Sequence, residues 1–217
     1  MKYIITLLCL LPVFLSAQET RTETLTFDKP SSGEVVLDLK FAGNIVVKAS
    51  PTNKVVLNKI ITSRNQDDDV LVEDISEGST LRYAMTYKEN NMRGKDYNCW
   101  SCDQPGCYCF RINYEVLLPK GTNLNLETIS GDIEIEQVDG PVRAKTISGF
   151  VDISLPARIS ANVRAKTVTG EMYTDFEQLA LTDNSTAFNK KMNSTIGSGS
   201  TKVELESVSG DIFIRKM

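Results

Sequence analysis

Apolar and polar residues alternate along most of this chain, and four segments repeat one alternation around a glycine. In each segment a run with an apolar or small residue at every second position leads into a Ser-Gly or Thr-Gly pair, and a second run follows. Successive side chains of a β-strand point to opposite faces, so this period of two predicts strands rather than helices. The segments are 124–135, 142–153, 163–174 and 203–214, and their glycines are Gly131, Gly149, Gly170 and Gly210.

The glycine marks a corner between the two strands of each segment. Glycine adopts a positive φ angle or a tight bend at little steric cost, so each segment is predicted to fold as strand, corner, strand. Such a unit cannot bury its apolar row alone, whereas stacked neighbours with a repeat of about 20 residues can. The predicted fold class is therefore all-β, with a β-solenoid or β-helix-like stack of coils.

Charged residues occupy the outward positions of the repeats. The second and third repeats carry Arg143, Lys145, Arg164 and Lys166, and the last carries Glu204 and Glu206. If the coils stack in chain order, the basic residues of the second and third coils lie directly over one another. Neighbouring like charges are mildly unfavourable, so this basic ladder is either tolerated in water or used to bind a ligand. The last coil is expected to end the stack, with Lys202, Arg215 and Lys216 protecting its edge.

The residues before the repeats also show strand patterns. Residues 18–118 are expected to form an N-terminal β region with a cysteine-rich loop at 88–110, continuous with a strand-repeat region at 119–217. Strands are predicted at 33–41, 55–62, 80–87 and 110–118, and the segment around Gly43 and Ile45 resembles a repeat corner. Residues 18–32 are expected to begin as a loose arm, and 65–69 and 177–200 to form polar loops.

The first 17 residues have the pattern of a secretory signal peptide. Lys2 supplies a positive start, Ile4 to Phe14 an apolar run, and Leu15-Ser16-Ala17 a small-residue cleavage site. No other long apolar stretch occurs, so no membrane span is predicted. The chain is expected to be exported to the periplasm, the outer surface or the medium.

Composition excludes several kinds of chemistry. The chain has 217 residues, a formal net charge of −4 and no histidine. The acidic balance argues against general nucleic-acid binding. Without histidine there is no Ser-His-Asp or Cys-His catalysis and no imidazole metal site. No cofactor and no metal site are predicted.

Four cysteines lie close together at Cys99, Cys102, Cys107 and Cys109. Four thiolates could hold zinc, but an exported protein favours two disulfides. Pro105-Gly106 suits the centre of a tight turn, so the nested pairs Cys99–Cys109 and Cys102–Cys107 are preferred. The bridges would staple the tip of a long hairpin, and this rigid tip would present the candidate binding residues Tyr97, Trp100 and Tyr108.

The repeat motifs resemble a known family. The residues that carry the likeness are Leu118-Pro-Lys-Gly, the Thr-Ile-Ser-Gly131-Asp-Ile and Ala-Lys-Thr-Ile-Ser-Gly149 corners, and the final Glu-Ser-Val-Ser-Gly210-Asp-Ile. They are similar to the putative-adhesin family of bacterial secreted β-strand-repeat proteins. The resemblance implies a β-solenoid-like fold, a bacterial origin and export, and it brings no catalytic residues.

The leading functional interpretation is an exported, non-enzymatic adhesin-like or envelope scaffold protein. Its partner would be an envelope, glycan or protein ligand, and Arg143, Lys145, Arg164 and Lys166 are further candidate binding residues. One alternative is a carbohydrate-active enzyme on a β-helix scaffold, since carboxylates follow the corners at Asp132, Glu134, Asp152, Glu171 and Asp211. The other is a metal-thiolate-binding envelope protein that uses the four cysteines.

Non-reducing peptide mapping of the purified chain is expected to find Cys99 joined to Cys109 and Cys102 joined to Cys107. Because disulfide sulfurs do not react with alkylating reagents, the four residues should be labelled only after reduction. A link between Cys99 and Cys102 would overturn this pairing. Free thiols that bind zinc would overturn the disulfide interpretation itself.

Overall fold

The computed structural model describes residues 19–63, 71–87, 110–180 and 188–217, and these residues form strands and turns without a helix. The strands of the first part are β1 (Glu19–Asp28), β2 (Glu34–Leu39), β3 (Ala42–Ala49), β4 (Lys54–Ser63), β5 (Leu71–Ser76), β6 (Thr80–Tyr87) and β7 (Phe110–Leu118). Those that follow are β8 (Asn123–Glu127), β9 (Asp132–Glu136), β10 (Val142–Thr146), β11 (Val151–Leu155), β12 (Ala161–Thr167), β13 (Met172–Thr174), β14 (Lys190–Ile196), β15 (Thr201–Ser207) and β16 (Ile212–Lys216). The all-β prediction is confirmed.

The strands form two sheets of eight, which share one hydrophobic core. The first sheet has the order β1-β4-β7-β3-β9-β11-β16-β13, and the second has the order β14-β12-β15-β10-β8-β2-β6-β5. Both sheets contain strands from before and after residue 119. The N-terminal β region and the repeats therefore contribute to the same two sheets.

Each repeat places one strand in each sheet, and equivalent residues of stacked repeats lie side by side in parallel strands. Ile45 pairs with Ile133, which pairs with Val151 in the first sheet. In the second sheet Leu124 pairs with Val142. The segment β2–β3 is thus a coil of the same kind as the later repeats, as its Gly43 motif predicted. Inward aliphatic residues of neighbouring coils touch and exclude water, which is the main stabilisation of such a stack.

The coils do not stack in chain order, which corrects the sequence-based expectation. Val203 of the last repeat pairs with Val142 on one side and with Val163 on the other. In the first sheet Ile212 likewise lies between Val151 and Met172. The last coil is therefore inserted between the second and third coils. It does not form an end of the stack, and its basic residues do not protect one.

Hydroxyl side chains at the corners tie each coil to the next. Thr146 Oγ1 donates to the Gly131 carbonyl at 3.0 Å, Ser207 Oγ to Gly149 at 2.9 Å, and Thr167 Oγ1 to Gly210 at 2.8 Å. The three hydroxyl-bearing residues are fully buried. A buried carbonyl without a partner costs about 1–3 kcal/mol, so these bonds select Ser or Thr at this corner position.

The corner glycines are required by close packing between coils. A Cβ atom at Gly210 would lie 1.9 Å from the Gly149 carbonyl oxygen, and one at Gly170 would lie 2.0 Å from that of Gly210. At Gly149 the distance to the Gly131 oxygen would be 2.3 Å. None of these residues has a positive φ angle, whereas Gly33 and Gly121 do. The corner glycines were predicted to permit a positive φ angle or a tight bend; the structure shows no positive φ angle there, and the close approach of the neighbouring backbone is what requires glycine.

Antiparallel strands cover the stack at one end in both sheets and at the other end in the second sheet. At one end β1 pairs with β4, β4 with β7, and β5 with β6. The Lys59 side chain is buried there, 2.5 Å from Glu23 and in contact with Glu73. The hydrogen bond from Lys59, with the nearby charge, lowers the pKa of the Glu23 carboxyl. Charge pairing thus closes the core where no further coil follows.

Two segments that were predicted as irregular are strands. Residues 18–32 were expected to be a loose arm, yet β1 is ten residues long and buries Phe27. Within 177–200, predicted as a loop, β14 pairs antiparallel with β12 and buries Met192 and Ile196. Pairing with a neighbour supplies the hydrogen bonds that local sequence preference does not indicate.

The strands that flank the cysteine-rich segment do not form the arms of a hairpin. β6 pairs with β2 in the second sheet, and β7 pairs with β3 in the first. β6 therefore ends in the second sheet and β7 begins in the first. Residues 88–109, the predicted leader at 1–17 and the acidic segment at 65–69 lie outside the described residues.

The change Gly210→Ala is expected to lower the free energy of unfolding by about 3 kcal/mol or more, because the methyl group has no space beside the Gly149 carbonyl. Urea denaturation followed by circular dichroism measures this loss. Gly78→Ala is the matched control, since nothing lies within 4 Å of a Cβ atom there. Equal effects of the two changes would contradict the packing role of the corner glycine.

Candidate binding surface

A basic face covers the outer side of the second sheet, across β14, β12, β15 and β10. Along β10, β12 and β15 every second residue is buried, so the residues between them point to solvent. In β14 Met192 and Ile196 are buried, and Lys191 and Asn193 are exposed. We define the basic face by Arg143, Lys145, Arg164, Lys166, Lys191, Lys202, Glu204 and Glu206. Six basic side chains surround two acidic ones, which gives a positive region on an acidic protein.

Glutamates of the inserted coil separate the basic residues that were expected to lie in contact. Arg143 pairs in register with Glu204, and Glu204 pairs in register with Arg164. The Glu204 carboxylate lies 3.8 Å from each guanidinium. Lys166 lies 3.9 Å from Glu206 in the next row. The prediction of an uninterrupted basic ladder is therefore wrong. Because β15 lies between β10 and β12, the residues across these three strands alternate basic, acidic and basic.

The arginines of this face retain most of their hydrogen-bonding capacity. Ion pairs at 3.8 Å are longer than N–H···O hydrogen bonds, which span about 2.7–3.2 Å. The side chains of Arg143 and Arg164 are 51% and 65% exposed, whereas that of Glu204 is 23% exposed. The acid is thus half enclosed between two guanidinium groups that can still donate to a ligand.

A cleft of about 450 Å³ lies on the basic face. Charged side chains of β10, β12 and β15 form its walls, together with Lys191 and Asn193 of β14. Ligand sites in proteins commonly have volumes of about 300–1,000 Å³. The cleft is therefore large enough to hold a small ligand or one part of a polymer.

Acidic residues border the basic face on the next strands of the same sheet. Glu127 on β8 pairs in register with Lys145, and Asp38 on β2 pairs with Glu127. The sign of the charge thus changes from positive to negative between β10 and β2. An anionic ligand would be attracted to the first part of the sheet and repelled from the second.

The structure places four of the predicted binding residues together and leaves the others undescribed. Arg143, Lys145, Arg164 and Lys166 all line the cleft. The tip residues Tyr97, Trp100 and Tyr108, like Cys99, Cys102, Cys107 and Cys109, lie outside the described residues. Glu204 and Glu206, predicted as outward residues of the last coil, belong to the same surface and lie beside Arg164 and Lys166. Lys191 also belongs to it, but the sequence did not indicate it because β14 lies in a segment that was predicted as a loop.

The carboxylates considered for catalysis have structural partners. Asp132 Oδ1 accepts from the Phe150 amide at 3.1 Å, and Asp211 Oδ1 accepts from the Glu171 amide at 2.7 Å. Both aspartates therefore link one corner to the next. Asp152 accepts two hydrogen bonds from Arg215, and these raise the pKa of the Arg215 guanidinium.

The remaining two carboxylates also have partners on neighbouring elements. Glu171 pairs with Lys190 at the start of β14. Glu134 accepts from the Asn44 side chain at 3.3 Å, across the pairing of β9 with β3. Each of the five carboxylates thus contributes to contacts between coils or between strands.

An aromatic cluster on the outer side of the first sheet was not predicted from the sequence. Tyr173 and Phe213 stack with ring centroids 5.2 Å apart, and Phe150 meets Phe213 edge-on at 6.2 Å. The Arg215 guanidinium lies 5.2 Å from the Phe213 ring. Aromatic pairs of this kind contribute about 0.5–1.5 kcal/mol, so the cluster holds the inserted coil against its two neighbours.

Among the described residues no group of three or more Cys, Asp or Glu side chains is arranged to hold a metal ion. In the same part of the chain, no helix has the length and apolarity needed to cross a membrane.

Residues 119–215 match the family described as Toastrack DUF4097. The chain carries a Toastrack domain. This region contains all four glycine-centred repeats and the basic face, so the family resemblance inferred from those repeats is confirmed. Comparison with curated proteins returns no match.

Comparison with solved structures returns proteins that this chain resembles. A putative cell adhesion protein from Clostridium sporogenes aligns over 92% of this chain and 100% of its own, with a TM-score of 0.54 and 11% identity. A putative adhesin from Bacteroides fragilis aligns over 93% and 99%, with a TM-score of 0.37 and 12% identity. A putative lipid binding protein from Parabacteroides distasonis aligns over 91% of this chain and 96% of its own, with a TM-score of 0.26 and 11% identity. The TM-score of the first shows that this chain shares its fold with that protein.

The change Glu204→Lys is expected to lower the free energy of unfolding by about 1 kcal/mol at low salt, because it places a cation between Arg143 and Arg164. Most of this loss should disappear near 1 M salt, where the Debye length is about 3 Å. Urea denaturation at the two salt concentrations measures the difference. Glu177→Lys, in an exposed turn, is the control and should change stability by less than about 0.5 kcal/mol. A loss that does not depend on salt would contradict the charge alternation.

Proposed function

We propose that this Toastrack chain is an exported, non-enzymatic protein of the bacterial cell envelope, which acts as an adhesin-like binding protein or scaffold. The observation that carries the proposal is the basic face with its cleft on a continuous β-repeat stack. In this proposal the repeats hold charged side chains at fixed positions, and a ligand binds to them without rearrangement of the backbone.

Rigidity supports this mechanism. Arg143, Arg164 and Glu204 project from strands that are paired on both sides, and the residues between them are buried. Ordering a flexible loop on binding costs free energy, whereas a β-solenoid-like stack is ordered before the ligand arrives. Long side chains on such a surface lose only their own rotamer freedom.

The assignment of a binding role rather than catalysis rests on how the acidic groups are used. The five carboxylates near the corners accept hydrogen bonds or form ion pairs within the fold. A glycosidase needs two carboxylates that face a substrate across the bond to be cleaved. The absence of histidine from the sequence removes the usual general base.

The proposed location rests on the leader-like first 17 residues and on the four clustered cysteines. In an oxidising compartment the nested disulfides would staple residues 99–109, and the aromatic residues of this segment would provide a second contact. The segment is attached beside the coil corners, because Leu39 pairs with Met85 before it and Ala42 pairs with Ile112 after it.

Retention on bacterial envelope fractions tests the proposed function. The purified chain is incubated with washed envelopes from cells that lack it, and the bound fraction is measured after sedimentation. We expect saturable retention that falls as salt rises, because charged groups carry part of the contact. Chain that stays in the supernatant with envelopes from several bacteria would contradict the proposal.

The double variants Arg143→Gln/Arg164→Gln and Trp100→Ala/Tyr108→Ala assign the contact to a surface. Each is expected to lower retention while the urea midpoint stays nearly unchanged, since the two arginines are exposed. The control Lys48→Gln/Lys54→Gln removes the same charge from the first sheet and should retain normal binding. Full retention by the tip variant would exclude the tip as a contact.

A further inference from the structure

We propose that the basic face binds an acidic polysaccharide whose sugars carry carboxylates. Arg143, Arg164 and the neighbouring lysines would bind the carboxylates, while Glu204 and Glu206 would accept hydrogen bonds from sugar hydroxyls. This inference rests on the proposed function, because it names the ligand class of the same surface. It does not depend on the cysteine-rich segment.

The cations form a two-dimensional array. Arg143 and Arg164 lie on strands two positions apart, with Glu204 between them, so their backbones are about 10 Å apart. Arg143 and Lys145, and likewise Arg164 and Lys166, are separated along a strand by about 7 Å. A repeating ligand could therefore meet a cation at intervals in both directions. A single small anion would use only one of these positions.

The arginine geometry suits a carboxylate. A guanidinium group donates two parallel hydrogen bonds to a carboxylate, and such charge-assisted bonds are shorter and stronger than neutral ones. The internal partner of both arginines is 3.8 Å away, so it does not occupy these donors at hydrogen-bond distance. Lys145, within the described part of the chain, has no carboxylate within ion-pair distance and adds an unpaired charge.

The two glutamates argue for a sugar rather than a simple polyanion. Glu204 and Glu206 run through the middle of the face, where they would repel a ligand that offers only dense negative charge, such as polyphosphate or nucleic acid. A sugar acid offers hydroxyl donors beside its carboxylate. Carboxylate acceptors and the Asn193 amide in the cleft can bind these hydroxyls, so the mixed lining matches both parts of the ligand.

Charge also limits the footprint of the ligand. Glu127 and Asp38 follow on the next two strands and would repel further carboxylates. On the opposite side β14 is the edge of the second sheet. The bound segment is therefore confined to the four strands β14, β12, β15 and β10, and the polymer would leave the protein over the β14 edge.

The test compares three polymers on the purified full chain by isothermal titration calorimetry. Polygalacturonate carries a carboxylate and hydroxyls on each sugar, poly-L-glutamate carries carboxylates without hydroxyls, and dextran carries hydroxyls without charge. We expect polygalacturonate to bind at least about tenfold more tightly than poly-L-glutamate, and dextran to show no binding. Equal affinity for the two charged polymers, or equal binding of dextran, would overturn the inference.

Variants locate the site. Arg143→Gln/Arg164→Gln should weaken polygalacturonate binding by about tenfold or more, and Lys48→Gln/Lys54→Gln should change it by less than about twofold. Equal losses in the two double variants would overturn the assignment to the basic face. If the chain is retained on envelopes but does not bind polygalacturonate, this inference alone is refuted. A chain that binds neither would refute the proposed function as well.

Discussion

The close contact between successive corners is the constraint on which the rest of the structure depends. The corner hydroxyl of each inserted or following coil donates to a carbonyl of the coil before it, and the glycine beside it leaves room for that carbonyl. Backbone hydrogen bonds join the same neighbouring corners: the Ser148 amide donates to the Ile129 carbonyl, and the Ser209 amide donates to the Ile147 carbonyl. These contacts fix the register of both sheets at once, because each corner joins one strand in each sheet.

Insertion of the last repeat between the second and third determines the surface. If the coils had stacked in chain order, arginine would face arginine across adjacent strands. The acidic coil instead supplies Glu204 between Arg143 and Arg164, so β15 carries a charge opposite to that of β10 on one side and β12 on the other. The same insertion brings Phe213 between Phe150 and Tyr173 on the other sheet. One topological choice thus accounts for the charge pattern on one face and the aromatic cluster on the other.

The functional surface uses groups that the fold does not need for its interior. Aliphatic residues between the sheets and hydroxyls at the corners stabilise the stack, and the corner carboxylates connect its coils. The outward residues Arg143, Arg164 and Lys166 have long, exposed side chains and ion pairs of 3.8–3.9 Å, which contribute little to stability. Because these side chains can still donate hydrogen bonds, this surface is suited to a negatively charged ligand.

The sequence alone determined the strands, the corners and the inward rows, because a period of two around Ser-Gly or Thr-Gly is a local property that any parallel stack must satisfy. It also indicated Arg143, Lys145, Arg164 and Lys166 as outward residues. The order of the coils could not be read from the sequence. The strands that begin at Val142, Val163 and Val203 have nearly equivalent patterns, so each could pair with either of the other two. Only tertiary pairing decided that Val203 lies in the middle, and with it which charges meet and where the cleft forms.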